Sequence, residues 1–159
     1  MRKVCFLLLF FGSFSVQQQA FAQYTTGIGV RTGVTNGITV RHFIGQESAI
    51  EGLFHTRWGG LIVTGLYEVH KDIRDVKGLG WFFGGGAHYG TWNAKNSNRS
   101  WGDNSVSTSA YGLDAIIGLD YAFGRRAPLN LSLDWKPAIN FGEGGFWWDE
   151  IGISIRYVF

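Results

Sequence analysis

The sequence predicts an all-β chain: eight antiparallel strands that run up and down and close into a barrel crossing a lipid bilayer. Three observations carry that expectation. Apolar and polar residues alternate with period two through eight segments after residue 22, and no helical period competes with them. The ionisable residues gather on one face of those segments, and the aliphatic and aromatic ones on the other. The last segment sets Ile151, Ile153, Ile155, Tyr157 and Phe159 in one row against Glu150, Gly152, Ser154 and Arg156. That row includes the final residue, so the medium outside it has to be apolar.

Met1, Arg2 and Lys3, the apolar stretch Val4 to Phe14 and the small residues of Ala20-Phe21-Ala22 read as a secretory signal peptide over residues 1–22. Gly12, Ser13 and Ser15 break the stretch, which is too short for a spanning helix of about 20 apolar residues. Cys5 precedes it, so lipoprotein cleavage is not expected. The rest, residues 23–159, is one barrel domain that cannot use disulfides, because the only Cys lies in the leader. The leader also holds two of the 14 basic residues and none of the 12 acidic ones. The domain is therefore neutral, without the excess of Lys and Arg that nucleic acid requires.

The strands follow in order. The first, Tyr24 to Val34, sets Arg31 among glycines, and the second, Ile38 to Ile44, puts Thr39, Arg41 and Phe43 opposite His42. Glu51, His55 and Arg57 share a face of the third, Ile50 to Trp58, and Glu68 and His70 a face of the fourth, Leu61 to His70. His88 lies opposite Trp81 and Tyr89 in the fifth, Leu79 to Gly90, and Asp114 and Asp120 lie together in the sixth, Tyr111 to Phe123. The seventh, Leu129 to Phe141, alternates most cleanly, with Asp134 and Lys136 on its polar face and Pro137 where ladder pairing can lapse. The connections fall at 35–37, 45–49, 59–60, 71–78, 92–108, 124–128 and 142–149, with Asn36-Gly37 as a hairpin turn.

Segments of about ten residues cross a bilayer when tilted. Eight of them enclose a space just wide enough for their own side chains, so no open channel is expected. Arg31, Arg41, Glu51, His55, Arg57, Glu68, His88, Asp114, Asp120, Asp134, Lys136, Glu150 and Arg156 turn inward as an interior polar network. Charges buried there have to pair. Tyr24, Trp81, Tyr121, Phe123, Tyr157 and Phe159 form an aromatic belt at one end, and Trp58, Tyr89, Trp92, Tyr111, Phe141, Trp147 and Trp148 one at the other.

On these residues the chain resembles the small outer-membrane barrels of the OmpX and OmpA-transmembrane kind. Tyr157 and Phe159 resemble the C-terminal assembly signal of such barrels, and Leu131-Ser132-Leu133-Asp134-Trp135-Lys136-Pro137 resembles a line that recurs in small barrels. The resemblance implies the outer membrane of a Gram-negative cell, with outer-membrane lipid and lipopolysaccharide as surroundings. It also implies insertion by the outer-membrane assembly machinery, and a monomer. Both chain ends then face the periplasm and the 92–108 loop faces outside.

Chemistry is harder to find. Ser132, Asp134 and Lys136 lie two apart on one face, His55 lies near Glu51, and His88 can approach Asp114, but all read as members of the interior network. The enzymatic alternative is a barrel that removes or transfers lipid A acyl chains. The deacylases carry His-x-Ser, whereas here His42, His55, His70 and His88 are followed two places on by Ile44, Arg57, Asp72 and Gly90. No catalytic, metal or cofactor site is expected, since ligand spacing is missing and Gly84-Gly85-Gly86 precedes no helix pattern. A soluble lipocalin-like ligand barrel, with the apolar face inward, is the alternative of another class. The expected role is structural or surface interaction, with Trp92, Lys95, Arg99, Trp101, Trp147 and Trp148 as outer-rim contacts for lipopolysaccharide or a protein partner.

Overall fold

The computed structural model describes residues 24–95, 97–124 and 127–159, and the expected signal peptide lies outside them. Ten hydrogen-bonded segments follow one another: β1 (Thr26–Gly33), β2 (Asn36–Phe43), β3 (Ser48–Arg57), β4 (Gly60–Asp72), β5 (Leu79–Trp92), β6 (Thr108–Ala122), β7 (Leu129–Trp135), β8 (Ala138–Phe141), β9 (Phe146–Trp147) and β10 (Ile151–Val158). Neighbours pair antiparallel in the order β5-β4-β3-β2-β1-β10-β7-β6, and β5 pairs with β6 to close the ring. The result is an eight-stranded barrel, the seventh strand being divided into β7 and β8.

The division falls at Lys136-Pro137 because Pro137 has no N–H to give the ladder. Around it the Lys136 N–H donates to the Glu150 carbonyl at 2.8 Å, and the Pro137 carbonyl accepts from the Ala115 N–H at 2.9 Å. β8 then continues along β6 and folds back on β9, so the 142–149 connection, expected to be loop throughout, contains a short hairpin. Gly144 and Gly145, at φ of 105° and 60°, make its turn.

Asn36-Gly37 is not the first hairpin turn. Both residues belong to β2, opposite Thr56 and His55, and the chain reverses one step earlier, after Gly33 at φ 142°. The glycine of the pair serves a close approach instead: a Cβ on Gly37 would collide with the carbonyl oxygen of Phe54. Positive φ at two successive residues appears at Trp58 and Gly59, which turn β3 into β4.

Burial alternates along nearly every strand, as in β3 and β4. Val30, Leu113, Leu133 and Ile155 stand exposed on the outside, while Arg41, Glu68, Asp120, Glu150 and Arg156 are fully buried within. These faces are the reverse of a soluble barrel's, and they overturn the lipocalin-like alternative. Only a medium without water makes such an outer surface favourable. The inside holds one mid-barrel apolar cluster of Leu53, Leu66, Phe82 and Ile116. Thr25 and Phe159 meet at one end, where the Thr25 N–H donates to the Phe159 carbonyl at 3.1 Å.

Candidate functional site: the interior charge network and its aromatic cap

Each ionisable side chain inside the barrel is placed there by strand parity, and register decides which of them meet. Near the end where Thr25 meets Phe159, Arg41 on β2 lies directly opposite Glu51 on β3. Its guanidinium reaches Glu51 and Asp120 at 2.8 Å each and Glu68 at 2.9 Å. Arg156 on β10 comes from the other side to bond Glu51, and it also donates to Thr39 at 3.0 Å and Ser132 at 2.7 Å. Two guanidiniums thus hold three carboxylates drawn from β3, β4 and β6. The His70 ring meets Glu68 at 3.0 Å and stacks on Phe82, over whose face Arg41 also lies at 4.7 Å.

Toward the opposite end a second network forms. Arg31 on β1 bonds Asp134 on β7 at 2.5 Å, and Lys136 bridges Asp114 at 2.7 Å and Glu150 at 3.1 Å. Thr35 donates to Glu150 at 3.3 Å. His88 places Nδ1 at 2.8 Å from Asp114 and Nε2 at 2.9 Å from the Asn140 carbonyl oxygen, while the Asn140 amide donates to Gly145 at 2.8 Å. That donation fixes which way Asn140 points, so His88 Nε2 is the donor to its carbonyl oxygen. The imidazole therefore ties β5 and β6 to the β8–β9 hairpin. His55 instead meets Thr64 at 3.0 Å, and its sequence neighbour Glu51 is taken by the arginines.

Every residue expected in the interior network is buried. The sequence reading missed the neutral members Thr39, Asn130 and Asn140, although their parity on the inward face could have found them, and also Thr35, which lies in the β1–β2 turn outside the alternation.

The expected outer-rim set divides differently. Trp92 and Trp147 are 2% and 4% exposed, and Arg99 is buried as well. They cannot serve as surface contacts, which corrects the expectation for all three. Trp92 continues the inward parity of β5, and its indole donates to the Arg57 carbonyl at 2.9 Å. Trp147 stands opposite inward-facing Ala138 and stacks on His88 at 5.1 Å. Trp58 and Trp101, half-buried, pack edge-on against Trp147 and Trp92 at 5.5 Å and 5.4 Å. Trp58 leaves the expected belt because its left-handed turn conformation folds the indole over the mouth, where Arg57 covers the ring at 3.9 Å. These four indoles cap the barrel end remote from Thr25 and Phe159. Lys95 and Trp148 remain exposed.

Arg99 holds the 92–108 loop from within. Its guanidinium donates to the carbonyls of Trp101 at 3.3 Å, Val106 at 3.3 Å and Asp103. Asp103, with its carboxylate taken by the Ser105 hydroxyl and N–H, is held below the ordinary carboxylate range. Asp149 sits on the rim and bonds Arg57 at 2.6 Å. Its partial burial opposes ionisation, but the bond and charge of Arg57 outweigh that and hold its carboxyl low. At the other end Tyr24 also leaves its expected belt: it precedes β1, outside the alternation, and packs inward on Phe43 at 5.3 Å.

The fold and its buried charges define the class of closed eight-stranded antiparallel β-barrels with an apolar outer face and an ion-paired interior. The N-terminal β-barrel domain of Pseudomonas aeruginosa OprF, known from a crystal structure, is similar to this chain with a TM-score of 0.64 and 13% identity, over 84% of this chain and 95% of that one. At that identity the likeness is one of fold. No protein-family model matches the chain. No curated protein matches it either.

Proposed function

We propose that this chain is an integral outer-membrane barrel with a structural or surface-interaction role, closed to ions at rest, monomeric and without catalysis. One observation carries the reading: the sheet turns aliphatic side chains outward and buries its paired charges, Arg41, Glu68, Asp120 and Arg156 among them, within. A lipid surrounding satisfies the first face and mutual pairing the second. The ion-paired levels and the indole cap support the closed state, since a barrel of this size is filled by side chains. Residues 1–22 are assigned as the export signal, the assembly machinery as the means of insertion, and lipopolysaccharide as part of the surrounding lipid.

Fractionation tests the location. The protein should stay in the outer-membrane pellet after salt washing, run faster on gels when unboiled, and begin at Gln23. Recovery in the periplasmic fraction would refute the reading. Planar bilayers should show no steady conductance, and cells with and without the gene should have the same lipid A mass profile.

A further inference from the structure

The β5–β6 hairpin rises past the exposed aromatic row at the capped end, and its outward face changes chemistry in step with the register. Ala87 stands opposite Leu113, Tyr89 opposite Tyr111, and Thr91 opposite Ser109. Leu113, Tyr89 and Tyr111 are each more than half exposed, at 55%, 54% and 57%, as parts of the lipid-facing band. Thr91 and Ser109 continue the same face and are exposed. Just beyond the tyrosines, Thr91, Trp92, Asn93, Ser107, Thr108 and Ser109 line a groove of about 360 Å³. The Ser107 hydroxyl donates to the Asn93 side-chain oxygen at 3.3 Å, and Lys95 is exposed two residues further out.

We infer that this groove binds the saccharide headgroup of a glycolipid whose acyl chains lie along Leu113 and the two tyrosines. The inference rests on the membrane reading above and adds a ligand to it. The groove is continuous with the band that faces hydrocarbon, so its occupant is apolar at one end and polar at the other. Hydroxyls and an amide line it, groups that both donate and accept, as sugar hydroxyls do. No carboxylate or guanidinium is among the lining residues. A phospholipid headgroup, a compact charge with few hydroxyls, calls for cations instead, and Lys95 stands outside the groove.

The test uses the full chain inserted into phosphatidylglycerol bilayers containing an uncharged glycosyl diacylglycerol, followed by gentle detergent release and native mass spectrometry. The wild-type barrel should emerge with one glycolipid bound. Thr91→Leu with Ser109→Leu fills the groove and removes its hydroxyls, and should lower that adduct about tenfold, the scale of a few lost hydrogen bonds. Thr56→Leu, which removes an exposed hydroxyl at the same end of β3, should leave it unchanged. Undiminished glycolipid on the groove variant overturns the inference. So does an equal fall in Thr56→Leu, or phosphatidylglycerol adducts as abundant as the glycolipid. Thr91→Val with Ser109→Ala keeps the shape and is read the same way if the leucine pair does not insert. Failure of the wild type to insert would sink the membrane reading itself, whereas an inserted groove variant that keeps its glycolipid sinks this inference alone.

Discussion

Arg41 carries more of the interior than any other side chain, because three carboxylates from three strands converge on one guanidinium that is fully buried. Replacing it with Leu leaves Glu51 to Arg156 alone and strips Asp120 of its cation. A loss of about 3–5 kcal/mol is expected, the cost of an uncompensated buried charge, measurable by denaturant unfolding of the refolded barrel in micelles. Trp92 and Trp148 provide a contrast within one residue type. Trp92→Ala should cost about 3–5 kcal/mol, since its ring is buried beneath the cap, whereas Trp148→Ala, at 66% exposure, should cost far less in the same assay. Asp149 predicts the acid behaviour of the rim. Its carboxyl is lowered in the folded state, so its bond to Arg57 contributes fully above the unfolded value of about 3.9 and is lost as pH falls through the lower folded value. Its side chain is nearly half exposed, so the amount is under about 1 kcal/mol. Asp149→Asn should flatten stability against pH only in that acid range.

At the scale of the element, parity and space govern the strands. Trp92 lies against Gly60 and Gly90, and a Cβ on Gly90 would approach the indole to 2.6 Å. Gly90→Ala should therefore destabilise the barrel by about 1–3 kcal/mol through overpacking. Gly65 faces outward with nothing within 4 Å, so Gly65→Ala should be neutral or stabilising by up to about 1 kcal/mol. Thermal unfolding of the two variants side by side checks the pair, and equal effects would refute the packing argument. The same rules mark what the alternation made legible. The inward rows of β3, β4 and β6 could be read directly, because each residue in them has only two possible directions. Trp92 obeyed that parity too, yet its aromatic character suggested a belt. Asn36-Gly37 misled for a different reason: the pair suits a turn, but Gly37 is required where β3 presses against β2.

For the whole molecule, closure through β5–β6 and β1–β10 leaves no open edge along the wall, and that is why the barrel should resist unfolding in detergent until heated. The sequence alone determined the strand count, the direction of each face and the identity of the charges inside, since a period of two fixes sidedness locally. It did not determine partners. His88 joining Asp114 to Asn140, Arg156 crossing to Glu51, and the four indoles gathering from β5, β9, a loop and a turn all depend on register and curvature summed around a ring. Sidedness is a property of consecutive residues, whereas contact across a barrel is a property of strands far apart in the chain, and only the closed tertiary structure decides it.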